Sequence, residues 1–125
     1  MNKLQKLAAL QEITSLKFQK ESAVFSQLQA QDRELKRQFD VLERQKSGQA
    51  LQTQQNLNMQ AREMVIANWL RWIEVQQRSV NAQRIELRMK LDRQKAQLNR
   101  AHGEKSVSQK LREKQIKLAK AKCAP

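Results

Sequence analysis

Residues 66–98 read IANWLRWIEVQQRSVNAQRIELRMKLDRQKAQL. Ile66, Leu70, Ile73, Val80, Leu87, Leu91 and Leu98 recur at spacings of three, four and seven, with gaps at Gln77, Arg84 and Gln94. Placing Ile66, Ile73, Val80 and Leu87 at d and Leu70, Leu91 and Leu98 at a reproduces the 3.5-residue repeat of a coiled-coil seam. A stripe this narrow cannot be covered by its own helix, so it demands a partner helix.

The upstream sequence offers one. Across residues 3–46, Leu4, Leu7, Phe18, Phe25, Leu28, Leu35, Phe39 and Leu42 fall on one a/d register, with Gln11, Thr14, Glu21 and Asp32 in its remaining places. Leu10, Ile13, Leu16 and Val24 lie off that stripe. Between the two seams, residues 47–57 (SGQALQTQQNL) form the one long uncharged run, and Gly48 and Asn56 are its best local breakers. A reversal centred near residue 51 predicts an all-α fold, a long two-helix antiparallel coiled coil in one domain spanning residues 1–125. Helix 1 would cover about 3–46, the turn about 47–57, helix 2 about 58–102, and a basic, unpartnered extension 103–125. In that register Leu35 faces Ile66 and Leu28 faces Ile73. Phe18 and Glu21 come near Arg84, and Leu4 comes near Leu98.

Composition agrees with an elongated helical object. Of 125 residues, 39% are hydrophobic and 4% aromatic, and the chain has two glycines and one proline. Gln, Lys, Arg, Leu and Ala dominate, and all of them favour helix. The formal net charge is +13. It is densest in residues 103–125, which hold seven basic and two acidic side chains. Such a surface calls for an acidic partner, whether protein, nucleic acid or anionic lipid. Cys123 is the single cysteine, so an internal disulfide is excluded and a reduced cytosolic thiol is expected. There is no run of 18 apolar residues to span a bilayer and no signal-peptide pattern. The expected location is the cytoplasm, with no direct membrane insertion.

No constellation suggests catalysis, so the expectation is a non-enzyme without cofactor or metal. The one histidine, His102, reads as a solvated helix-end residue beside Gly103. The carboxylates are dispersed among Lys and Arg at helical spacings, as in solvated ion pairs. The informative feature is Trp69 and Trp72. With Ile66 and Ile73 in the seam, Trp69 falls at g and Trp72 at c, so Val65, Trp69, Trp72 and Gln76 form a stripe on the flank of the hairpin. Exposed Trp is enriched at binding hot spots. The competing expectation is that one Trp folds over the seam and caps helix 1 near Leu35 and Val24.

Lys3-Leu4-Gln5-Lys6-Leu7 and Leu10-Gln11-Glu12 open the chain. Trp69-Leu70, Ile73, Gln76-Gln77, Leu87 and Leu91 follow in the second half, and Lys110-Leu111-Arg112-Glu113-Lys114-Gln115 close it. In this arrangement the sequence resembles the flagellar FliJ family and its relatives in virulence type III secretion. That resemblance implies a two-helix antiparallel coiled coil acting as the stalk of the hexameric export ATPase. It also implies contacts with the export-gate membrane protein and with export chaperones, at the cytoplasmic face of the inner membrane. By position, Gln38, Val41, Trp69, Ile73 and Gln76, joined by Trp72 of the flank stripe, would form the gate-binding patch. Lys3, Lys6, Lys110, Arg112 and Lys114 would form the tip facing the ATPase. The alternatives are a basic coiled coil that binds nucleic acid through Lys105–Lys122 and a structural coil that pairs between chains.

Overall fold

The computed structural model describes the backbone of residues 2–56 and 59–123 and the side chains of residues 2–48 and 60–122. It consists of two helices, α1 (Lys3–Asn56) and α2 (Met59–Cys123), packed antiparallel as a hairpin. The start of α1 is dictated by Asn2. The Gln5 backbone N–H donates to Asn2 Oδ1 at 2.8 Å, and the Asn2 N–H donates back to Gln5 Oε1 at 3.1 Å. This reciprocal box satisfies two of the donors that a helix N-terminus leaves open.

The reversal expected at 47–57 moves. Residues 47–56 are helical, and the link, residues 57 and 58, lies outside the described residues. Gly48 keeps a helical φ, and an interior glycine costs a helix only about 1 kcal/mol. Its neighbours are mostly Gln, Ala and Leu, which sustain the helix through it. The later reversal resets the register. Gln11 now faces Arg112, Thr14 faces Ser108, Asp32 faces Arg84 and Glu43 faces Gln77. Leu35 shares a groove with Leu87 rather than Ile66. Phe18 packs its ring against His102, at 5.5 Å between centroids, rather than near Arg84. Glu21 takes Gln94, not Arg84, and Leu4 cannot face Leu98 when Gln11 already meets Arg112.

The same shift corrects the far end. α2 does not stop at His102 but runs through Gly103 to Cys123. The first part of the expected unpartnered extension packs on α1, with Ser108 buried against Thr14. His102 is therefore a mid-helix residue, not a helix end.

The seam itself follows the heptads. Every α1 position of the register from Leu4 to Leu42 is half-buried or buried, and along α2 the d row Ile73, Val80, Leu87, Gln94, Ala101 and Ser108 is buried. The pair divides into two units. One comprises Leu28–Lys90, and its d row is branched aliphatic: Ile66, Ile73, Val80, Leu87. The other comprises Met1–Gln27 with Leu91–Pro125, and its d row turns polar or small: Gln94, Ala101, Ser108.

Each gap in the apolar repeat is filled by a polar pair across the seam. Gln77 Nε2 donates to Glu43 Oε2 at 2.6 Å, and Arg84 Nε to Asp32 Oδ1 at 3.1 Å. Gln94 Nε2 donates to the Glu21 carbonyl at 3.0 Å and to its carboxylate. Thr14 and Ser108 share a hydrogen bond at 2.7 Å, and whichever hydroxyl accepts it donates to the carbonyl three residues back on its own helix. Buried polar groups are tolerated because each finds a partner in one register only.

Candidate partner-binding surfaces

The Trp stripe builds a groove within the unit Leu28–Lys90. α1 contributes Arg37, Gln38, Val41, Leu42 and Gln45, and α2 contributes Trp72, Gln76 and Val80, around a volume of about 280 Å³. Trp72 is 48% exposed and stacks on Trp69, with ring centroids 5.4 Å apart and planes at 25°. Stacking holds an indole upright that would otherwise sample rotamers, so a partner meets a rigid apolar face at reduced entropic cost. Arg37 on the rim is engaged by its own helix. Its Nε and Nη2 donate to Glu34 at 3.0 and 2.7 Å. That bidentate pairing holds the Glu34 carboxyl below the usual range and raises the Arg37 guanidinium. The groove is thus apolar and amide-lined, with its nearby cation already neutralised.

Of the expected gate patch, Gln38, Val41, Trp72 and Gln76 line this one groove. Ile73 does not join them at the surface. It is fully buried in the seam and can support a partner only by positioning its neighbours. Trp69 is half-buried beneath Trp72, and its Nε1 N–H is buried without an acceptor among the described residues. Trp72 sits beside Val41 and Leu42, while Leu35 shares its groove with Leu87. Leu42, Gln45 and Val80 also line the groove and were not anticipated. They follow only once the register is known.

The expected basic tip lies in the other unit. Lys3, Lys6, Lys110, Arg112 and Lys114 are all exposed. Arg112 reaches across to α1, its Nη1 donating to Gln11 Oε1 at 2.7 Å. None of the five forms an ion pair among the described residues. Nearby, Lys105 Nζ stands 4.8 Å from the Phe18 ring centroid, a cation–π contact. Lys17 and Arg100 both engage Glu104, at 3.1 and 3.6 Å. Cys123 carries no described side chain, and no group of three or more His, Cys, Asp or Glu lies together among the described residues. No described helix is long and apolar enough to cross a membrane.

Comparison with known proteins adds no identity: no protein-family model, curated protein or solved structure matches the chain.

Proposed function

We propose that this chain is a non-enzymatic helical adaptor of a type III protein export apparatus, of the FliJ kind. In this reading the Trp72 groove binds the export-gate membrane protein. The basic end bearing Lys3, Lys6, Lys110, Arg112 and Lys114 engages the hexameric export ATPase. Exposed surface along the hairpin is left for export chaperones, and the protein works at the cytoplasmic face of the inner membrane.

The observation that carries the reading is the groove. Gln38 and Val41 on α1 meet Trp72 and Gln76 on α2 around a half-exposed indole stacked on Trp69. Stacking on Trp69 uses one part of this ring, and about half of it still stands in water in a chain poor in aromatics. As an anchor desolvated in a partner's pocket, it contributes about 2 kcal/mol or more, roughly thirtyfold in affinity.

Trp72→Ala tests this. The folded chain loses only a half-buried ring, so its stability should fall by less than about 2 kcal/mol, below the ~3–5 of a core Trp. Its affinity for the soluble part of the export-gate protein should fall about thirtyfold. Normal gate binding by the folded variant would overturn the reading.

A further inference from the structure

A second groove, larger than the one at Trp72, lies in the unit containing both chain ends. Leu10 and Thr14 of α1 and Arg100, Gly103, Glu104, Val107, Ser108 and Leu111 of α2 enclose about 470 Å³. Leu10, Val107 and Leu111 are 41%, 57% and 45% exposed. The cause is local. The seam side of the groove is lined by Thr14 and Ser108, both buried, and these short side chains leave the flanking aliphatics uncovered.

Gly103 sharpens the point. It sits inside α2 with a helical φ, where glycine costs about 1 kcal/mol relative to alanine. A Cβ added there would meet nothing within 4 Å. Neither the backbone nor the packing of this chain requires glycine at 103. A second backbone approaching that point would.

Charge identifies the occupant. Helical spacing places Lys3, Lys6 and Lys17 on the Leu10 side, seven and four residues before it and seven after. It places Arg100 and Lys114 on the Val107 side, seven before and seven after. Glu104 is the sole acid of the lining and is already held by Lys17 and Arg100. A second copy of this chain would bring like charge against like: this unit holds fourteen basic and five acidic side chains. Nucleic acid could engage the flanking cations, but its phosphates would leave the Leu10, Val107 and Leu111 side chains between them uncovered.

We infer that the Leu10–Gly103–Val107–Leu111 groove is a docking site for an acidic amphipathic helix of a partner protein, which lies against Gly103 as a third helix. The surface shares Lys3, Lys6 and Lys114 with the basic end assigned to the ATPase above, but its argument is independent of which protein docks. Peptide binding and ATPase stimulation can therefore fail separately.

The probe is a fluorescein-labelled helical peptide of about 20 residues, long enough to pass the groove, with Leu at a and d and Glu elsewhere. It should bind the full chain saturably. A peptide with Lys in place of Glu, and a Glu peptide with its leucines dispersed around the helix, should not. Gly103→Leu fills the groove from within. It should weaken binding at least about tenfold while leaving the melting temperature equal or higher, because leucine is the better helix former. Val107→Glu should weaken binding equally and carries the test if Gly103→Leu lowers the melt. Four results would each overturn the inference: no saturable binding of the acidic peptide, unchanged binding by both variants, equal binding of the dispersed-leucine peptide or a short DNA duplex, or a self-association in sedimentation that Gly103→Leu abolishes.

Discussion

At the scale of single residues, the two tryptophans divide the work that an aromatic pair can do. Trp69 lies half-buried under Trp72, and Trp72 keeps about half its surface in water. The heptad placed Trp72 at c, and its exposure follows from that position alone. The stacking of Trp69 did not follow, because a g residue can turn either way until its neighbours across the seam are known. The buried Trp69 Nε1 has no acceptor among the described residues, so Trp69→Phe gives up apolar area but no hydrogen bond. Its cost should stay within about 1 kcal/mol in urea unfolding. A loss above about 2 kcal/mol would show that the indole N–H is bonded after all.

At the scale of elements, the seams were legible and the register was not. Leu4 to Leu42 and Ile66 to Leu98 announced themselves by periodicity, and their burial agrees. Gly48 reads as a breaker, but its cost is small beside the helix-forming run around it, and α1 continues to Asn56. The end of the second seam was missed for a related reason. Ala101 and Ser108 continue the d row of Gln94, but small or polar side chains carry no hydrophobic signal. The polar gaps held the missing information. Four polar layers, Gln77–Glu43, Arg84–Asp32, Gln94–Glu21 and Ser108–Thr14, are satisfied together in one alignment. Layers of this kind specify alignment at some expense of stability. Glu21→Ala removes the carboxylate but leaves the residue 21 carbonyl as an acceptor for Gln94, and should destabilise the hairpin by about 1 kcal/mol. Glu21→Leu with Gln94→Leu should instead melt at or above the parent temperature. Urea or thermal melts of both variants check this; a double variant less stable than the single one would contradict it.

At the scale of the whole molecule, charge is distributed unevenly. The unit with both ends carries fourteen basic and five acidic side chains, and the Leu28–Lys90 unit eleven and seven. Composition shows a basic chain, but only the register brings Gln11 to Arg112 and Leu10 to Val107 and Leu111. Under the adaptor reading, reversing Lys3, Lys110 and Lys114 to Glu should reduce stimulation of the export ATPase at physiological salt and leave helicity intact. Unchanged stimulation would remove the ATPase from the list of partners.

Both proposed surfaces exist only in the alignment that sets Thr14 against Ser108 and Gln38 beside Trp72, and trapping that alignment is the most direct test. In a Cys123→Ser background, Thr14→Cys with Ser108→Cys replaces two hydroxyls 2.7 Å apart, close enough for a disulfide to close with little backbone movement. Mild oxidation should link them quickly within a single chain. Thr14→Cys with Arg88→Cys, the pair favoured by a reversal near residue 51, should stay reduced. Cross-linking of the second pair, or links forming only between chains, would contradict this register and both surfaces built on it.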